Sequence, residues 1–476
     1  MKKLLSVSLC AVMAASLAAC GGGAGTGGGA GTGGGAGANA DAGTGVEGGN
    51  SGTGESGGQD GYGDVTLTVG FNGDFTTMVD AVIGAADSLN EKYAAEGIDT
   101  RITIEADYQT IDNTEFHNNI VFAHKSGEAP DIFICDTDVA GFVNAGCVLD
   151  ITDVITDSMV EGICTPCTVD GKVYAMPFDL PLRVIYYNKN DLAKIGWSQE
   201  QIDSLPEQIQ SGEFTLEDFT ALCQEVVEKG GATYGMVHRP GAGNDFYDLL
   251  NALGGRYYNE EGQLVFDEAG ITRLFQYLYD NAQTTKITPE NLNQMGWDTI
   301  NQMVGTGEAF AYFGPMFSAT YVAQAAGLET DAFAQQEQFV LFPKSAYSDG
   351  PFCTAAPQFM SISADTQYPE LCKEIFKELQ GDASSYLAHH SAETYSLSSV
   401  KAANEMEEIT SSTILSPVTY MADYAQHIPA VDDATTLRGL IFEQITSLEL
   451  GQTTVEQAVQ DVKTQAQLNI DNIIME

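Results

Sequence analysis

Between residues 65 and 135 the apolar side chains switch repeatedly between two spacings, and this switching limits the accessible folds more than any other feature of the chain. Residues 65–71 alternate with the period of two that a half-buried strand requires. Residues 78–96 place Val79, Val82, Ile83, Ala86 and Leu89 at helical spacing. Residues 101–108 return to the strand period, and about 112–125 reads as a helix ending near Gly127. Pro130 then precedes an apolar strand at 131–135. Parallel strands cannot be joined by a tight turn and need a helical crossover, so this order predicts a parallel α/β layer.

The pattern continues downstream. A Gly171-Lys172-Val173-Tyr174-Ala175-Met176-Pro177 run leads through Phe178 and Asp179 into a strand at 184–190. Thr215 is placed to cap a helix reaching about residue 229, with Asp218 in its first turn. Residues 234–238 read as a strand, followed by helices at about 245–253, 268–281 and 298–304. Short strands are expected at 309–313, 339–342 and 359–363. From 369 onward the pattern is almost wholly helical, closing with helices at about 435–450 and 455–473.

Composition matters mainly at the N-terminus. Of 51 glycines, 22 lie within residues 21–63, a stretch with four acids, no Lys or Arg and Tyr62 as its single aromatic. Such a segment cannot bury a core and is expected to act as a tether spanning roughly 35 Å end to end. Ahead of it, Lys2 and Lys3 precede an apolar stretch at 4–19 that suits a secretory signal better than a membrane span. The stretch ends in Leu17-Ala18-Ala19-Cys20, which resembles a bacterial lipoprotein lipobox. That resemblance implies a mature N-terminus at Cys20, lipidated and held on the outer face of the cell membrane, where multiple acyl chains anchor stably.

The formal net charge of −46, from 20 Lys and Arg against 66 Asp and Glu, excludes two classes of partner. Nucleic-acid binding needs clustered cations to displace condensed counterions, and peripheral binding to anionic lipid needs a basic face. After residue 20 no apolar run approaches the ~18 residues of a spanning helix. The nine cysteines include Cys10 and Cys20, which leaves an odd number in the folded part. Cys164-Thr165-Pro166-Cys167 has redox spacing without the flanking strand and helix that lower a thiol pKa, so a local disulfide or inert thiols are expected there. The six histidines supply no zinc spacing, and neither a metal nor a cofactor is expected.

These elements, in this order, resemble the family 1 extracellular solute-binding proteins of ATP-driven (ABC) importers, the group that includes maltose-binding protein. The residues that carry the resemblance are Gly127-Glu128-Ala129-Pro130-Asp131, the Gly171 to Pro177 run, Tyr186-Tyr187-Asn188-Lys189, and Thr215-Leu216-Glu217-Asp218-Phe219. The stretch from Gly305 to Pro315 and the helical segment after Gly451 add to it. The resemblance implies a periplasmic-binding-protein-like α/β fold of two lobes joined by about three hinge crossings. Lobe one is expected at 64–179 plus 314–355 and lobe two at 180–313 plus 356–476, with crossings near 178–182, 312–314 and 354–357. It further implies a monomer that captures a small polar solute, a mono- or oligosaccharide being the expected class, and delivers it to the transmembrane subunits of an ABC permease.

A cleft that closes on a ligand must contact it from both sides. Sugars are held by carboxylates, amides and arginine at their hydroxyls and by aromatic faces against the ring. Residues of these types just past strand ends are Asn72, Asp74, Asp136, Asp138, Asp179, Arg183 and Tyr186, then His238, Arg239 and Trp297. Phe313, Met316, Phe317, Phe352, Gln358 and Phe359 complete the candidates. Arg183 and Arg239 stand out because a buried cation on so acidic a chain needs either an acidic partner or an anionic ligand. Only two tryptophans occur, and Cys135 stands where the family carries a stacking aromatic, which argues against a long oligosaccharide.

Two readings compete with a binding protein. A surface glycosidase would use a carboxyl pair ~5–9.5 Å apart, for which Asp136 and Asp138 are the candidates. No HExxH motif and no phosphate-binding glycine loop supports other catalysis. An adhesion or scaffold lipoprotein would have no closable cleft.

Overall fold

The computed structural model describes residues 61–476 apart from 136–138, 260, 430 and 432. The proposed signal, Cys20 and all but the last residues of the glycine-rich tract therefore lie outside the described residues.

Two sheets organise the chain. The first runs in the order Thr100–Gln109, Gly63–Asn72, Ile132–Cys135, Phe359–Ile362, Met176–Pro177. Its first three strands are parallel, with Gly63 opposite Thr100 and Phe71 opposite Ile134, as the alternating pattern of 65–135 requires. The crossovers are the helices Thr77–Glu96 and Asn113–Ser126. Asp112 accepts hydrogen bonds from the Thr114 and Glu115 backbone N–H groups at the start of the second, and Gly127 ends it at φ 72°, a left-handed conformation that favours glycine.

The second sheet is built around Leu182–Asn188, all seven of whose residues are buried. Ala309–Pro315 pairs antiparallel with it on one side, with Glu337–Val340 and Cys353–Ala355 on the other. Tyr234–Val237 and Ala425–His427 lie at the two edges. The helix Leu216–Glu228 begins with a capping box in which Thr215 and Asp218 satisfy each other's backbone N–H, as the sequence predicts.

Two α/β lobes are therefore present, but their boundaries differ from the expectation. Residues 314–355 were expected in lobe one, yet two of their strands pair with Leu182–Asn188, and Ser318–Ala325 packs on Trp297–Gly305. Conversely, Phe359–Ile362 joins the first sheet, and the helices Pro369–Leu379 and Ser384–Thr394 pack on Thr77–Glu96. The strand at 309–315 thus stays within lobe two. The chain passes between lobes near 180–182, near 355–359, and again between Glu407–Thr410 and Ala425–His427. The physical reason is local: the buried run Ala309 to Pro315 leads directly into the short helix Ser318–Ala325, which packs on Trp297–Gly305 of the same lobe, so no crossing is needed there.

Candidate functional site

Strands of the two sheets end facing one another, and in α/β sheets ligands collect beyond the carboxyl ends of strands. A cavity of about 600 Å³ opens there, within the ~300–1,000 Å³ range of small-molecule sites. Lobe one supplies Asp74, just past the end of Gly63–Asn72, together with Pro166 and Phe359. Lobe two supplies Arg239, Asn244, Trp297 and Arg438. A smaller cavity of about 270 Å³ shares Asp74, Phe317, Tyr321 and Ala356 with it. Tyr321 also donates across the lobes to Asp74 Oδ2 at 3.1 Å.

The polar floor of the larger cavity is an ion-pair cluster. Arg183, buried, donates from Nε to Asp248 Oδ2 at 2.8 Å and pairs through Nη2 with Asp245. Both acids lie on the helix Asn244–Ala252, and Asp248 also accepts from Thr354 Oγ1 at 2.6 Å. Burial pushes the Asp248 carboxyl up, and Arg183 pulls it back down. Arg239 is placed differently. Its guanidinium lies 5.5 Å from the centroid of the Trp297 ring, and burial together with the like charge of Arg183 brings its pKa down to about 10. Trp297 itself is 45% exposed.

Of the residues singled out in the sequence, Asp74, Arg183, Arg239, Trp297, Phe317 and Phe359 meet at the larger cavity. Asn72, Asp179 and Gln358 line the smaller one. Asn72 is engaged by its own turn, exchanging hydrogen bonds with the Ile111 backbone and Asn113. Asp179 accepts from the Gln358 backbone N–H at 2.9 Å, tying together two of the lobe crossings.

Five candidates are not brought to either cavity. Tyr186 is fully buried, donates to the Pro315 carbonyl and meets Tyr312 and Phe339 edge-on. Phe313 and Phe352 pack on Phe342, and Met316 is buried beside them in the same core. His238 is buried at 2.7 Å from Glu449, whose charge raises the imidazole pKa against the effect of burial. Each sits at or near a strand end, as the sequence suggested, but its side chain faces the sheet's packed interior. Asp136 and Asp138 lie outside the described residues.

The sequence reading missed Pro166, Asn244, Asp245, Tyr258, Tyr321 and Arg438. Arg438 carried a legible signal, since the scarcity of arginine that marks Arg183 and Arg239 marks it equally. Pro166 is placed by the single turn Thr165–Cys167, whose two flanking cysteines carry free thiols. Among the described residues no cluster of three metal-ligating side chains occurs, and no helix is long and apolar enough to cross a membrane.

A model of the family described as bacterial extracellular solute-binding protein matches residues 86–385, well over half of the chain. The chain belongs to that family. The maltodextrin-binding protein MdxE of Bacillus subtilis is 25% identical over 354 residues, covering 71% of this chain and 78% of the relative. An arabinooligosaccharide-binding protein of Halalkalibacterium halodurans is 27% identical over 213 residues, but the match spans only 43% of that relative and 42% of this chain. Maltose-bound MalE3 of T. maritima superposes with a TM-score of 0.64 at 18% identity, over 85% of this chain and 99% of the other, which supports the two-lobed fold. The family is one of solute binders, not enzymes.

Proposed function

We propose that this solute-binding protein is the extracytoplasmic receptor of an ABC importer. It captures a mono- or short oligosaccharide between its lobes and hands it, as a monomer, to the membrane permease. In this reading Cys20 carries the lipid anchor and the glycine-rich tract gives the receptor reach.

The observation that carries the proposal is that one cavity draws Asp74 and Phe359 from one lobe and Trp297, Asn244 and the arginines from the other, so a ligand touching both favours the closed state. Phe359, on one lobe, and Trp297, on the other, offer ring faces, and Asp74, Asn244 and the arginines offer hydroxyl partners. Sugar binding by the maltodextrin- and arabinooligosaccharide-binding relatives supports the carbohydrate class.

A thermal-shift panel of mono-, di- and trisaccharides tests this. A ligand at one hundred times its Kd stabilises the folded state by about 2.7 kcal/mol, so at least one saccharide is expected to raise Tm clearly. A panel in which no saccharide moves Tm, while an amino acid, peptide or nucleoside does, would reassign the solute class.

A further inference from the structure

The two central arginines of the cavity resolve the same problem in opposite ways. Arg183 is answered by Asp245 and Asp248. Arg239 is not: among the described residues no carboxylate lies within ion-pair distance of it, and its Nε is buried with no acceptor. Arg239 also fits its place closely, because a Cβ added at Gly243 would collide with the guanidinium.

Arg438 joins it from the helix Ala434–Glu449. Among the described residues it donates only to neutral oxygens, Asn244 Oδ1 at 2.5 Å and Thr435 Oγ1 at 2.9 Å. The two cations repel, and with burial this lowers the Arg239 pKa. Three of the chain's six arginines line this cavity, and among the described residues no lysine does. On a chain of net charge −46, acids to neutralise them are abundant, yet among the described residues none is within ion-pair distance of Arg239.

The other charged groups on the cavity wall narrow where an anion is favoured. Asp245 is committed to Arg183, Asp74 accepts from Tyr321, and Asp298 is exposed beside Trp297. An anion is therefore repelled from those positions and attracted to Arg239 and Arg438. Arg239 and Arg438 are half-buried, and a cation drawn partly out of water without a counter-charge is costly, a cost recovered when a ligand supplies one.

We propose that the solute is an acidic saccharide, whose carboxylate sits between Arg239 and Arg438. A hexuronic acid suits the planar guanidinium fork, and its ring carbons suit the adjoining indole of Trp297. This rests on the carbohydrate reading above and narrows it to one class.

Calorimetric titration with matched pairs tests it: galacturonic acid against galactose, glucuronic acid against glucose, and the corresponding di- and trisaccharides. The acidic member is expected to bind at least about tenfold more tightly, as hydrogen bonds to charged groups allow. The advantage is expected to shrink with added salt and to vanish in Arg239→Gln, with Arg239→Lys keeping part of it. Should Arg239→Gln fail to fold, Arg438→Gln carries the same comparison. Equal or tighter binding of the neutral member, or a preference that survives in folded Arg239→Gln, overturns the inference and leaves the saccharide reading intact. Silence from both members of every pair, while another neutral saccharide raises Tm, likewise overturns the inference alone.

Discussion

Arg183→Met is expected to lower the stability of the folded chain by about 3–5 kcal/mol at neutral pH, the usual cost of breaking a buried ion pair by removing one partner. Methionine fills much of the same space, so the loss is electrostatic and not a cavity effect. It leaves Asp245 and Asp248 buried and facing each other on one helix, with Thr354 the closest remaining partner of Asp248.

The pH dependence follows from the direction of the Asp248 shift. Burial already pushes that carboxyl up, and Arg183 opposes the push. A carboxyl whose folded pKa exceeds its unfolded value binds more protons when folded, so its contribution to stability is lost as pH rises through the folded pKa. Without Arg183 the folded pKa rises further. The deficit of the variant is therefore expected to be larger at pH 8 than at pH 5. Urea melts of parent and variant at both pH values check this, and a variant as stable as its parent at pH 8 would show that the cluster is not held by its charges.

Trp297→Ala is expected to weaken saccharide binding by about tenfold or more while leaving Tm nearly unchanged. Stacking of an aromatic face contributes about 0.5–1.5 kcal/mol beyond the area it covers, and burial of the indole by the ligand adds to that. The fold does not depend on the ring in the same way, because Trp297 is 45% exposed and opens a helix whose buried face is carried by Ile300, Met303 and Val304. The substitution also removes the surface on which Arg239 rests, so part of the loss is disorder of that guanidinium. Titration calorimetry measures the affinity. A folded variant that binds as tightly as the parent would place the saccharide elsewhere.

The fold was legible in the sequence where periodicity is local. The strand and helix pattern of 65–135 appears within a residue or two of its expected bounds, and the Thr215 cap forms as read. Lobe membership was less legible, because a strand's partner is set by contacts far away in sequence. Phe359–Ile362 and Cys353–Ala355 are separated by three residues and belong to different sheets, and no spacing rule announces the change.

The site divides in the same way. Rarity of charge led to the cavity wall: Arg183 and Arg239 both line it. Strand-end position alone was a poor one, since Tyr186, Phe313 and Met316 share it yet turn inward to a core that the sequence cannot orient. The wall contributed by Ile428, Pro429, Val431 and Arg438 was hidden because the region from 369 onward reads as almost wholly helical, whereas Ala425–His427 is a strand.

The central claim is that a saccharide enters this one cavity. Trp197 packs partly buried against the core and lines neither cavity, so Trp197→Phe leaves Trp297 as the single indole reporter. Titrating that variant with the saccharide that raises Tm is predicted to change Trp297 emission saturably, with the same Kd that calorimetry gives. Stabilisation and heat of binding with Trp297 emission unmoved would contradict the account.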